Sequence, residues 1–287
     1  MIWLWCTRVI WALLPVTTGT ALADATESWS TAPARCAAVI LWAVWVAGLF
    51  AMFAPRPWGL TLLRVVAPCG FLCVVLSLTS TTTTSAAIAL VGSGLAAVLA
   101  LSAPIASATA NALAYGDELR FMLRVPMPLL LGPIPIAVLL VGFAAAIGPL
   151  LLADERYGLG ALATVIGIPA AALIVRALHP LSCRWFVLVP AGIAIADPLT
   201  LTEPVLVRRE QIAALGRTQK TALPAGALDL RLGTLAGSAQ LALTEPAEFG
   251  RRRGRARAEI IATRLVAVAI VRADDALAQA HARRIKV

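Results

Sequence analysis

The chain has 287 residues, 60% of them hydrophobic and 14% charged, with a mean hydropathy of +0.86. Soluble globular domains carry about a quarter charged residues, so this balance excludes a wholly water-soluble protein. The net charge of +9 is unevenly placed, because 17 of the 24 Lys and Arg lie from Arg176 onward together with 9 of the 15 Asp and Glu. A nearly charge-free block is therefore followed by a basic, water-compatible block of the size of one small domain. Five cysteines, odd in number and mostly set in apolar runs, supply no disulfide framework.

Met1 to Ala23 places Arg8 ahead of a short apolar run and ends in Ala21-Leu22-Ala23. A cleaved signal, an uncleaved extra span and an over-extended gene start all fit that pattern, and residues 1–35 are set apart for this reason. The transmembrane domain is expected over residues 36–178. Its five spans, six if the first segment is added, fall at about 36–54, 58–78, 86–106, 129–153 and 159–178, each near the ~20 residues that a hydrocarbon core requires. Arg56 and Pro57 close the first of these into a tight turn. Arg64 lies inside the second, either as an intramembrane charge on a substrate path or as an interfacial anchor that snorkels. Gly92, Ser93 and Gly94 in the third suit close helix packing.

Residues 107–125 form a polar connection that interleaves Asp117, Glu118, Arg120 and Arg124 with Leu119, Phe121, Met122 and Leu123. A short amphipathic helix on the membrane surface is expected there. Pro126, Pro128, Pro133 and Pro135 crowd the start of the fourth span, as a kinked helix start or as an irregular, cavity-lining segment. Asp154, Glu155, Arg156 and Tyr157 keep the turn between the last two spans in water. The C-terminal basic block, under the positive-inside rule, places the C-terminus in the cytoplasm of a multi-pass inner-membrane protein.

Beyond Ser182 the hydrophobic period shortens to that of strands. Arg184–Val189 and Ile193–Asp197 flank Pro190-Ala191-Gly192 as a β-hairpin. Further strands are expected at Pro204–Arg208, Gln211–Leu215, Leu228–Leu232, Gln240–Thr244 and Ile260–Val271, and a helix at Asp274–Arg284, with acids first and arginines last as the helix dipole prefers. The predicted fold class is thus a multi-helix transmembrane bundle followed by a small, mainly-β domain over residues 179–287.

The runs RWFVLVPAGIAIADP, PVLVRREQIAAL and VAVAIVRADDALAQAHARRIKV, covering roughly Leu181 to Val287, resemble those of bacterial membrane proteins that carry a pleckstrin-homology-like (PH-like) domain beside transmembrane helices. The resemblance implies a seven-strand barrel with a C-terminal capping helix, and it brings no catalytic residues. Several such families are of unknown function.

The densest charge run is Arg251, Arg252, Arg253, Arg255 and Arg257, broken by Gly250 and Gly254. Each such cation contributes about 1 kcal/mol near an anionic leaflet, so the run is a candidate contact for anionic phospholipid headgroups; a solvated loop between strands is the other reading. Nucleic acid is not an expected partner, because no aromatic residues interleave with the arginines. His179 and His281 have no evident partner for acid-base work. No HExxH, P-loop, GxSxG or GxGxxG pattern occurs, so catalytic, metal and cofactor sites are all predicted as none. Cys69 and Cys73 share a helix face but make a poor metal site without further soft ligands. The expected function is a non-enzymatic scaffold or a sensor of lipid or an unidentified protein partner, presenting a cytoplasmic PH-like domain. The alternative is a subunit of a membrane transporter or channel, for which a polar cavity at the depth of Arg64 and Pro133 would be the sign.

Overall fold

The structure is a computed structural model that describes residues 2–78, 83–112, 114–219, 221–254 and 257–286. In chain order its helices and strands are α1 (Ile2–Thr26), α2 (Thr31–Phe53), α3 (Pro57–Ser77), α4 (Thr83–Leu101), α5 (Ala103–Asn111), β1 (Leu119–Met122), α6 (Met127–Leu131), α7 (Pro133–Ala153), α8 (Tyr157–Leu178), β2 (Trp185–Val189), β3 (Gly192–Ala196), β4 (Val205–Arg208), β5 (Ile212–Arg217), β6 (Leu228–Asp229), β7 (Ser238–Arg253), β8 (Arg257–Ala269) and α9 (Ala273–Ala282). They form two compact units. The first comprises Met1–Thr109 with Pro133–His179, and the second Ala110–Gly132 with Pro180–Val287.

In the first unit α1, α2, α3, α4, α7 and α8 are long and apolar enough to cross a membrane, which makes this a multi-pass membrane protein with six candidate spans. The extra span beyond the five expected in the main domain is α1, the segment that also resembles a leader. Three local devices seat it. Pro15 has no N–H to give the carbonyl four residues back, which belongs to Trp11. The indole of Trp45 on α2 fills that vacancy at 2.8 Å, and the Trp11 indole donates in return to the Trp45 carbonyl at 2.8 Å. Trp11 is 2% exposed, and a Cβ at Gly48 would collide with its ring. At the other end of the pair, Arg8 donates to the Met52 carbonyl at 3.1 Å, in the last turn of α2 where carbonyls lack helical partners. Its guanidinium lies 4.9 Å from the Trp5 ring centroid and 4.7 Å from that of Phe53, within cation–π range.

Small residues set the other contacts. Gly92 of α4 lies against Thr17 of α1, and Gly94 against Phe71 of α3. Between α7 and α8, Cβ atoms at Gly148, Gly160 and Gly167 would strike Thr164, Leu152 and the Ala144 carbonyl. Glycines thus let these two backbones approach, which is how helices associate where lipid offers no hydrophobic drive. The crowded prolines act as helix starters: Pro126 is the N-cap of α6, Pro133 opens α7, and Pro135 sits in its first turn, where a missing N–H costs nothing. The third span stops at Leu101 rather than continuing to Ala106. Pro104 has no N–H for the Ala100 carbonyl, and the chain restarts as α5.

The second unit holds two four-stranded sheets, ordered β1-β2-β3-β4 and β5-β7-β8-β6. All pairings are antiparallel except β6 with β8. Among the described residues the strands form no closed barrel, which corrects the seven-strand barrel implied by the resemblance. The stretch expected as an amphipathic helix is the second correction. Leu119, Phe121 and Leu123 recur every second residue, the strand period, and β1 pairs with β2 in the register Phe121↔Phe186. Its outer edge is met by Asn111, whose side chain donates to the Arg120 carbonyl at 3.0 Å and accepts the Arg120 N–H at 2.9 Å, and further along by the 269–271 segment, where Val271 donates its N–H to the Met122 carbonyl at 2.9 Å and Arg124 its own to the Ala269 carbonyl at 2.8 Å.

One apolar core joins the two sheets. Phe121, Phe186, Ile193, Ile195, Leu215, Leu241, Phe249 and Val266 meet within it, with Ala273, Ala276 and Ala280 of α9. Embedded beside them is an ion pair, Arg184 with Asp197, whose side chains are 1% and 0% exposed. Its two parallel hydrogen bonds measure 2.8 and 2.7 Å. Arg184 also donates to the carbonyls of Arg124 at 2.6 Å and Leu230 at 3.3 Å, so one guanidinium ties together segments remote in sequence. Asp197 in turn accepts the Leu199 N–H at 3.1 Å.

Candidate membrane-surface site

The arginine run lies at the tip of a long β-hairpin. Near its base, β7 and β8 are inner strands of the second sheet; past a register shift between Ala242 and Ala247 the two strands continue as a two-stranded arm. Pro246, which has no ladder N–H, stands in that interruption. Along the arm Gly250 faces Ile260, Arg251 faces Glu259, Arg252 faces Ala258 and Arg253 faces Arg257. Gly254 turns the chain with φ at +73°, a value that suits glycine. Arg255 and Ala256 lie outside the described residues, and Arg257 is placed by its backbone alone.

The arm is held rather than dangling. Phe249 is fully buried, and its cross-strand partner Ile261 packs on the same core. The segment 200–202 runs alongside: Arg252 donates its N–H to the Thr200 carbonyl at 2.7 Å, and Thr202 donates its own to the Gly250 carbonyl at 2.8 Å. A Cβ at Gly250 would meet the Thr202 hydroxyl, so glycine is what permits this approach. The tip consequently offers Arg251, Arg252 and Arg253, all exposed, on a braced ribbon. Arg253 reaches Glu259 at 3.4 Å in an exposed pair, a contact worth little in water. Period-two alternation puts Arg251, Arg253 and Glu259 on the face shared with Phe249, and Arg252, Ala258 and Ile260 on the opposite face.

The positive charge of Arg251 is felt by Asp229 as well. Burial pushes the Asp229 carboxyl up, but hydrogen bonds from Arg231 outweigh it, with Arg251 helping, and hold the group below the usual aspartate range. Arg231, 2% exposed, grips Asp229 through bonds of 2.9 and 2.7 Å and donates to the Thr221 carbonyl at 3.2 Å. Near β1, a hydrogen bond from Arg120 holds Glu118 below its ordinary value.

Arg64, the other candidate charge, sits half-buried in α3 and is engaged with a partner. One turn earlier the Thr61 hydroxyl lies 3.0 Å from His179 Nδ1 and 2.9 Å from the Pro57 carbonyl. Thr61 has one hydrogen to give, so while it donates to Pro57 it accepts from the ring, and His179 ties the end of α8 to the start of α3. Two cavities, of about 400 and about 480 Å³, lie either side of Ala37 and Leu41 on α2. Neither is lined by Pro133, by Arg64 or by any other charged residue. The lining hydroxyls Thr18, Thr26, Ser77 and Ser93 all donate back to carbonyls of their own helices. Cys69 packs between α3 and α7 and donates weakly to the Val138 carbonyl at 3.4 Å. Among the described residues no group of three or more His, Cys, Asp and Glu is placed to hold a metal ion.

Comparisons with protein-family models, curated proteins and solved structures return no match. The chain's own geometry therefore carries the functional argument. It brings Arg251, Arg252 and Arg253 together on one ribbon and keeps Arg64 apart from them in the other unit. Sequence reasoning misses the brace from residues 200–202, because it depends on a contact about fifty residues away in the chain. It also misses the Trp11–Trp45 exchange for the same reason, with only Pro15, four residues after Trp11, hinting at a carbonyl needing an outside donor; the Arg184–Asp197 pair closes the expected hairpin, and what the sequence does not show is its burial.

Proposed function

We propose that this protein is a non-catalytic, multi-pass inner-membrane protein that presents its β unit in the cytoplasm, where the β7–β8 arm engages an anionic lipid surface. The exposed Arg251, Arg252 and Arg253 on a rigid ribbon are the observation that carries this reading. Three such cations near an anionic leaflet contribute about 3 kcal/mol at roughly 1 kcal/mol each. The antiparallel β2–β3–β4 meander and α9 packed over the core support a PH-like kinship for the unit, in an open, two-sheet form.

Chain parity supports the orientation. β1 precedes α7 and α8, and β2 follows them, so their pairing requires both to lie on one side of the membrane; two crossings return the chain to that side. The turn at Arg56, the stretch with Arg120 and Arg124, and the basic C-terminal block then share a compartment, the cytoplasm by the positive-inside rule. The apolar linings of both cavities support a scaffold or sensor over a transport subunit, since a conducting path needs polar groups free to replace water.

The test uses the full chain in phosphatidylcholine nanodiscs, titrated with phosphatidylglycerol vesicles in a co-sedimentation assay. Wild type is expected to prefer phosphatidylglycerol over phosphatidylcholine vesicles, and R251Q/R252Q/R253Q to lose that preference by roughly a hundredfold in affinity, as about 3 kcal/mol implies. Equal binding by the triple variant would remove the arm from the account.

A further inference from the structure

The arm's two faces differ in a way that its charge alone does not use. Ile260 is 72% exposed on the face that also carries Arg252 and Ala258, with Gly250 directly across the ribbon. Nothing in the fold requires an apolar side chain at this position, because the core ends one residue away, at Ile261 and Phe249. An isolated exposed isoleucine is ordinary. This one is flanked by a tip whose described charges are three arginines against the single Glu259, and it stays exposed although the Thr202 hydroxyl packs over Gly250 across the ribbon.

We infer that the Gly250, Arg252, Ala258 and Ile260 face is the one that meets the lipid, with Ile260 entering the boundary between headgroups and acyl chains while the arginines hold phosphates around it. This rests on the anionic-surface reading above and adds the face, the depth and the residue that sets it. The partner is a bilayer rather than a free anion, because an inorganic phosphate gains nothing from an exposed isoleucine and a bilayer does. The brace of 200–202 on Gly250 and Arg252 has a use here: it fixes the ribbon so that insertion costs little ordering.

The two ingredients respond differently to salt. Arginine–phosphate attraction is screened, with a Debye length of about 10 Å at 0.1 M, whereas burial of an apolar side chain is not. Full-length protein in phosphatidylcholine nanodiscs is titrated with phosphatidylglycerol vesicles at low and raised ionic strength, for wild type, I260N and the R251Q/R252Q/R253Q variant. Wild type keeps a salt-resistant part of its affinity. I260N, at a site outside the core and so without consequence for folding, binds roughly tenfold more weakly and loses the salt-resistant part, the loss expected for removing one partly buried isoleucine from lipid. I260W, which prefers the interface, binds at least as tightly as wild type. If I260N equals wild type at both salt levels while the triple variant loses binding, insertion is wrong and the surface reading stands. If wild type itself shows no preference for phosphatidylglycerol vesicles, the underlying reading fails with it.

Discussion

Arg184 shows how much one side chain can hold when water is excluded. A buried charge left alone costs several kcal/mol, so truncating Arg184 strands the Asp197 carboxylate within the core. R184M is expected to destabilise the β unit by about 3–5 kcal/mol, read as a lowered midpoint in denaturant with tryptophan emission or hydrogen exchange of β2 and β3. R184M/D197L, which removes both charges, is expected to recover a large part of that loss, because the pair's desolvation cost goes with it. Recovery failing altogether would mean that the bonds to the Arg124 and Leu230 carbonyls matter more than the charge. Neither residue stands out in the sequence. Arg184 opens a run of apolar residues and Asp197 closes the next, and both look like solvated strand ends until the chain is folded.

At the scale of elements, α1 and α2 make the sharper test. Their indole–carbonyl exchange relies on Pro15 leaving a carbonyl free and on Gly48 leaving room for a ring. W45F removes one donor at a cost of about 1 kcal/mol, while G48L forces the Trp11 ring aside for about 1–3 kcal/mol. G48L is therefore expected to separate the two helices more than W45F, seen as faster exchange of α1 amides or as easier proteolysis after α1 in detergent. Element type was largely legible from hydrophobic period: the five spans, the β2–β3 hairpin and α9 fall close to where apolar pattern and turn residues put them. Element partners were not. The 107–125 stretch has helix-like composition and a strand-like period over only three apolar positions, and β1 forms because β2 offers an edge that the local sequence gives no sign of. The arginine run was legible as a patch, but its placement on a ribbon depends on Phe249 and Ile261 reaching the shared core, a contact set by the fold.

For the whole molecule, the division into units does not follow the chain. Ala110–Gly132 belongs with Pro180–Val287, so a fragment that starts at Pro180 lacks β1 and exposes β2 as a bare edge, a template for aggregation. Such a fragment is expected to aggregate. A fusion that joins 110–126 to 180–287 through a flexible linker is expected to be soluble and monomeric, with size-exclusion chromatography as the check. If the shorter fragment is equally well behaved, β1 contributes little to the unit. A chain that ends at Leu178 likewise keeps β1 without its partner β2.

The β1–β2 pair also sets a clock. During synthesis β1 emerges first and waits while α7 and α8 are made and inserted; only afterwards does β2 appear to take its hydrogen bonds. Contacts between strands so far apart in sequence form late, once the intervening chain has been ordered. A helical hairpin that inserted only once, or stopped halfway, would deliver β2 to the opposite compartment, and the first sheet would lack its edge. Closure of the first sheet is thereby tied to the two helices that separate its strands: a chain whose β2 reached the opposite compartment would keep β1 without its partner.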